Sequence, residues 1–228
     1  MLISHEYQFI FIKTVKTAGT SIEVFLSQVC DAGDVVTPIS PPVDLHRPRN
    51  HAGWFDPIPE LVESGGRSFW STLQDLAARR RFYNHIPART VRARLPRETW
   101  DSYFKFCVER NPWDKAVSHF HMCRHRKAGR YTLDQYFADG RSCRNSPRYT
   151  DSQGGILVDR ILRYEDLEAE LDSVFGMLGV PFDGSLGVRA KSGYRPEGQS
   201  YREALSDRQR RDVARIYADE IRLHGYEF

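Results

Sequence analysis

One stretch constrains the fold of this chain more than any other: FIFIK at residues 9–13, TVKTAGTS at 14–21, and an amphipathic pattern onward to Val29. The segment alternates and then runs apolar, which predicts a buried strand over residues 7–13. Gly19 to Val29 predicts the helix that follows the turn. At such a turn the backbone N–H groups converge and the helix dipole adds positive potential, so an anion can be held there. Gly19 permits close approach, Thr17, Thr20 and Ser21 supply hydroxyls around Ala18, and Lys16 brings a full charge. The same residues would also serve as a Ser/Thr-capped helix start with two solvated lysines, and the Gly-Lys-Ser/Thr order of common nucleotide loops is missing.

The rest of the chain repeats the strand–helix rhythm. Residues 103–109 predict a central strand, Pro112 suits the first turn of a helix, and Asp114 to Lys127 continue it. A third strand is predicted near 157–163, with a helix from Glu165 to Leu178. Helical patterns also cover 69–81 and 87–95. Near the end, Ser206 and Gln209 form a capping-box pair before the stripe Val213, Ile216, Tyr217, Ile221, and Gly225 can stop that helix. Strands separated by helices predict an α/β fold: a single domain over 1–228 with a central parallel sheet flanked by helices. Residues 31–68 hold Pro38, Pro41, Pro42, Pro48, Pro57 and Pro59 with little periodicity, and are read as an irregular excursion on the substrate side.

Composition narrows the function classes. A net charge of +3 suits anionic ligands but is not the balance of a protein that coats nucleic acid. No apolar run approaches the ~20 residues that cross a bilayer, so no transmembrane segment is expected. MLISHEYQFIFIK lacks the pattern of an export signal, and Cys30, Cys107, Cys123 and Cys143 form no CxxC pair. Free thiols and a cytoplasmic location are the expectation.

A second motif gives the first its meaning. ERNPWDKAVSHF places Arg110 at the end of a predicted strand and Ser118 within the next helix. In an open parallel sheet ligands bind at the carboxyl ends of strands, so both motifs deliver donors to one edge. A planar Arg fork suits a terminal phosphate, and two anion sites along one crevice suit a ligand with two phosphate-like ends.

KTAGTS followed by RNPWDKAVS resembles the two nucleotide-binding signatures of sulfotransferases that use 3′-phosphoadenosine 5′-phosphosulfate (PAPS). The closer likeness is to the carbohydrate-type branch, with bacterial-like members. It extends to FYNHIPARTVRARL, VDRILRYEDL and the GYEF ending, and covers most of the chain outside 31–68. The resemblance implies a P-loop-like sulfotransferase fold. It further implies a sulfuryl group carried from PAPS to a hydroxyl of a carbohydrate or glycoconjugate, leaving 3′-phosphoadenosine 5′-phosphate, without a metal. Lys16 through Ser21 would hold the 5′-phosphosulfate, and Arg110 with Ser118 the 3′-phosphate. Lys16 is the candidate for stabilising the leaving phosphate, with Lys13 as fallback.

The acceptor hydroxyl must give up a proton, which calls for a base. His85, in NHIPARTVR, stands where carbohydrate-type relatives commonly carry a catalytic histidine; Glu109 or Glu23 are the alternatives. In AKSGYRPEGQSYR, Lys191, Ser192 and Arg195 are candidates for a basic loop over the nucleotide. Trp113 is expected in the core. HFHMCRH places His121 and His125 four apart on a helix but lacks a second ligand set, so it is read as a helix face rather than a metal site. Two other readings are kept: a P-loop kinase-like phosphotransferase, and a non-catalytic module that binds the nucleotide or a sulfated ligand.

Overall fold

The computed structural model describes residues 1–63, 69–188, 194–195 and 198–228. Its elements in chain order are β1 (Leu2–Ser4), β2 (Phe9–Ile12), α1 (Gly19–Val29), β3 (Val35–Val36), α2 (Ile58–Val62), α3 (Phe69–Ala77), α4 (Ala88–Arg94), α5 (Arg97–Ser102), β4 (Phe104–Glu109) and α6 (Pro112–Arg126). There follow α7 (Leu133–Ala138), α8 (Ser146–Tyr149), β5 (Arg160–Arg163), a 3-10 turn (Tyr164–Asp166), α9 (Leu167–Leu178), α10 (Tyr201–Ala204), α11 (Asp207–Ile216) and α12 (Ala218–His224). The fold is α/β around one sheet of order β3-β1-β2-β4-β5.

The sheet is mixed rather than all parallel. β2, β4 and β5 run parallel, as expected, but β1 is antiparallel to both β2 and β3. The strand predicted over 7–13 is therefore the second arm of a hairpin. Asp34 makes the turn between the arms: its carboxylate accepts from Ser4 Oγ at 3.0 Å and from the His5 N–H at 2.6 Å. Gln8 then reverses the chain at φ 51° before β2 begins.

Side-chain alternation explains why both faces are covered. Ile10, Ile12 and Cys107 point to one side, where Phe82, Ile86, Val91 and Trp100 pack. Phe9, Phe11, Phe106 and Val108 point to the other, against Ile22 and Leu26 of α1 and Leu171, Val174 and Phe175 of α9. A third cluster joins α6 to α11 through Trp113, Val117, Val213 and Tyr217. Trp113 lies in that core with its indole N–H on the Arg210 carbonyl at 3.0 Å.

The helix predicted as one unit from residue 206 to Gly225 is two. Its capping box forms as expected, but the helix breaks at Tyr217 (φ −108°). There the Tyr217 ring is drawn into the core, and its hydroxyl accepts the Cys143 N–H at 2.9 Å. The third strand is shorter than predicted, beginning at Arg160. All four cysteines are free thiols. Among the described residues no helix is long and apolar enough to cross a membrane.

Candidate functional site

β2 and β4 are parallel neighbours, so the turn after β2 and the start of α6 after β4 open at the same edge of the sheet. The turn is tightly built. Thr14 Oγ1 meets Thr17 Oγ1 at 2.7 Å and donates to the Val108 carbonyl, tying the turn to β4. Asn145 clamps Val15 from both sides, accepting its N–H at 2.8 Å and donating to its carbonyl at 3.1 Å. Lys16 and Ala18 take positive φ of 63° and 57°, a conformation that costs non-glycine residues about 1–3 kcal/mol each and collects at ligand sites.

Three features of this turn stay open. Ala18, at the helix N-cap, supplies no side-chain cap. The backbone N–H groups of Lys16, Thr17, Ala18 and Gly19 find no acceptor among the described residues. The Lys16 ammonium, half-buried, has no carboxylate partner among them and lies 5.6 Å from the centre of the Tyr194 ring. Burial, with Arg110 nearby, pulls its pKa down to about 8. Thr17 is buried and Thr20 half-buried beside Ser21 at the head of α1.

Lys13 is placed differently. Its ammonium is turned inward onto the Glu23 carboxylate, which also takes the Met1 amine, and both side chains are almost fully enclosed. The lysine stem runs so close to Gly19 that a Cβ there would lie 2.8 Å from Lys13 Cγ. The glycine is needed for this inner packing as well as for ligand approach.

From the β4 side, Arg110 reaches back to the turn, its Nη1 donating to the Lys16 carbonyl at 3.2 Å. Its Nε and Nη2 grip Asp114 Oδ2 at 2.8 and 2.6 Å, and its plane lies 4.0 Å from the Tyr164 ring centre. Ser118 is one helical turn beyond Asp114, half-buried, with no hydrogen-bond partner for its hydroxyl among the described residues. Arg195 comes to the same place: its Nη1 binds the other oxygen of Asp114 and its Nη2 the Gln199 carbonyl. Gln199 in turn meets His121 Nε2 at 3.1 Å, and Tyr194 sits 5.0 Å from His125. Arg110 and Arg195 thus meet on Asp114, Arg110 also reaches the Lys16 carbonyl, and Ser118 follows one turn further along α6, while Lys191 and Ser192 lie outside the described residues. Asp114 was not singled out from sequence, although its spacing four after Arg110 was a readable signal.

His85 stands on the other side of the turn. Its φ is 57°, and its Nδ1 lies 3.2 Å from the Lys13 carbonyl. Because a carbonyl only accepts, Nδ1 carries the proton and Nε2 keeps the lone pair. Burial, then Lys13 and Arg148, lower its pKa to about 3, so the ring is neutral near neutral pH. Arg148 Nη1 donates to the His85 carbonyl.

The two glutamate alternatives are both engaged. Glu23 is taken by Lys13 and Met1, and Glu109 accepts from Lys115, Asn145 and Tyr149 at 2.7, 3.2 and 3.0 Å. The histidine-rich face of α6 is divided among separate partners, with His119 Nδ1 at 2.9 Å from the Tyr136 hydroxyl. Among the described residues no group of three or more His, Cys, Asp or Glu is arranged to hold a metal ion.

No family model matches the chain. An uncharacterized protein of Archaeoglobus fulgidus is 32% identical over 117 residues, which span 48% of this chain and 98% of that protein. The chain belongs to that protein's family. The description of the relative states no activity, so the chemistry must be argued from the side chains themselves.

Proposed function

We propose that this chain is a PAPS-dependent sulfotransferase with a P-loop-like sulfotransferase fold, acting on a hydroxyl of a carbohydrate or glycoconjugate. The observation that carries the reading is the junction of the two motifs: Arg110 donates to the Lys16 carbonyl at 3.2 Å, beside a turn whose N–H groups of residues 16–19 find no acceptor, and whose Lys16 finds no carboxylate, among the described residues. A nucleotide with two anionic ends fits these residues. The unpaired N–H groups of 16–19 and Lys16 would take one end, and Arg110, Ser118 and Arg195 the other. Arg110 would share its fork between Asp114 and the ligand.

When bound, PAPS supplies an activated sulfuryl group whose departure leaves growing negative charge on a phosphate oxygen. Lys16 would answer that charge with an ammonium that no carboxylate among the described residues neutralises, so its interaction would strengthen toward the transition state. Lys13 does not compete for the role, because Glu23 holds its ammonium. His85 would accept the acceptor's proton at Nε2, with Nδ1–H fixed on the Lys13 carbonyl. Its low pKa keeps it in the neutral, proton-accepting form at the expense of basicity. An anionic ligand beside it would raise that value by offsetting Lys13 and Arg148.

Release of 3′-phosphoadenosine 5′-phosphate from PAPS, measured over a panel of glycan acceptors without added metal, tests the reading. Replacing His85 by Ala should lower turnover by about 10²–10⁴-fold, while binding of the product nucleotide is kept. Near-normal turnover by that variant would remove His85 as base. Magnesium-dependent transfer from ATP would instead support a kinase-like phosphotransferase.

A further inference from the structure

Val15 lies beyond the end of β2, and among the described residues no strand pairs with it. The turn it belongs to nevertheless holds Lys16 and Ala18 at positive φ, a state that persists only where the surroundings over-determine it. Asn145 supplies the constraint. It is fully buried at the N-cap of α8, and its side chain, a favoured helix cap, leaves that helix uncapped and turns to Val15 instead. Oδ1 accepts the Val15 N–H at 2.8 Å and Nδ2 donates to the Val15 carbonyl at 3.1 Å, so one amide stands in for a neighbouring strand.

The second hydrogen of Nδ2 is used as well. The same nitrogen lies 3.2 Å from Glu109 Oε1, and a primary amide has two hydrogens to donate. Glu109 Oε1 also accepts the Arg110 N–H at 2.9 Å and the Lys115 ammonium at 2.7 Å. Val15 is followed by Lys16 and Glu109 by Arg110, so a single side chain fastens the residues that precede the two cations. Asn145 is itself held from behind: Glu220 Oε1 of α12 accepts the N–H groups of Asn145 and Ser146 at 2.8 and 3.1 Å. A flipped amide would set Oδ1 against a carbonyl and a carboxylate, so its partners fix its orientation.

A ligand with two anionic ends gains from its second end only if the two half-sites keep the right separation, and freedom in either half-site weakens that gain. We propose that Asn145 is a positioning residue for the nucleotide: it sets the turn of Lys16 against Arg110, so that the two ends of one ligand are bound jointly. It acts through Val15 and Glu109 and is itself enclosed. The proposal rests on the reading of this edge as the site of a nucleotide phosphorylated at its 3′ and 5′ positions.

Dissociation constants of 3′-phosphoadenosine 5′-phosphate and adenosine 5′-monophosphate, measured by calorimetry, provide the test. In wild type the 3′-phosphate should tighten binding about hundredfold. Asn145→Ala should reduce that advantage to about tenfold or less, and so should Asn145→Ser, whose short hydroxyl cannot span both peptide groups. Tyr149→Phe removes a different hydrogen bond to Glu109, of 3.0 Å, from the same buried cluster and leaves Val15 alone, so its advantage should match wild type. A wild-type advantage in the Asn145 variants would overturn the proposal. A loss in Tyr149→Phe as large as in Asn145→Ala would do the same, because it marks a general loosening of the cluster. Wild type without any preference for the bisphosphate defeats the nucleotide reading and this inference with it, whereas a preference that survives in both Asn145 variants defeats this inference alone. Amide hydrogen exchange of the unaltered protein, followed by NMR, decides even where both variants fail to fold. Val15 and Lys16 are adjacent and both half-buried, but of the two only the Val15 N–H has an acceptor among the described residues. Val15 should exchange about hundredfold slower than Lys16 in the free protein, and equal rates would overturn the proposal.

Discussion

Two arginine- and lysine-rich regions of this molecule look alike in sequence and differ in how their charge is met. Around Arg94, Nε binds Glu60 at 2.6 Å, Nη2 binds Asp75 at 2.8 Å, and Nη1 binds the carbonyls of Arg80 and Arg81 at 2.8 Å each. The Phe55 ring covers its face at 4.0 Å. Nothing on that guanidinium remains for a ligand, and its partners tie α2 and α3 to α4. At the sheet edge, Lys16 has no carboxylate among the described residues, four backbone N–H groups are open, and two guanidiniums share Asp114. The first region uses charge to hold the chain together. The second leaves charge unmet where two parallel strands end, as a site for an anionic ligand requires.

Breaking each region should therefore have opposite signatures. Arg94→Ala removes the buried guanidinium that Glu60 and Asp75 both bind, although Asp75 keeps Arg80, and should cost about 3–5 kcal/mol in urea unfolding. The variant should still respond to nucleotide under conditions where it is folded. Lys16→Ala should scarcely change unfolding but lower turnover by about 10²–10³-fold, or about 2.7–4 kcal/mol of barrier. If Lys16→Ala destabilised the protein as much as Arg94→Ala, the contrast would collapse.

A smaller effect follows from pH. Lys16 titrates near 8 in the free protein, so it is charged below that pH and neutral above it. Affinity for an anionic nucleotide should fall as pH rises through about 8, by at most about tenfold per pH unit. An affinity that stays flat from pH 7 to 9.5, in calorimetric titrations, would show that Lys16 is not the cation the ligand meets.

How much of this was legible in the sequence depends on the range of the interactions. Local signals read well: α1 spans Gly19–Val29 as predicted, Pro112 opens α6, and both strand-end motifs meet at one edge. The hairpin β1–β2 was missed because its turn leans on Asp34, 30 residues from Ser4, and its local part, the Tyr7 N–H on Ser4 Oγ and Gln8 at positive φ, contains no Gly or Pro to signal a reversal. The break at Tyr217 was missed for the same reason, since Cys143 anchors that ring from a distant loop. Within the site, Lys13 and Lys16 are equivalent as letters. Only the fold turns one ammonium toward Glu23 and leaves the other open. Asp114 and Asn145 likewise gain their meaning from partners distant in sequence.

The most direct measurement of the central claim is thermal or urea unfolding with 3′-phosphoadenosine 5′-phosphate compared with ATP, each with and without Mg²⁺. At 100 times its Kd, a ligand specific for the folded state adds about 2.7 kcal/mol of stability. The account predicts selective, metal-independent stabilisation by the 3′,5′-bisphosphate that is weakened in Lys16→Ala and Arg110→Ala. Indifference to the bisphosphate, or stabilisation by ATP that requires Mg²⁺, would contradict it.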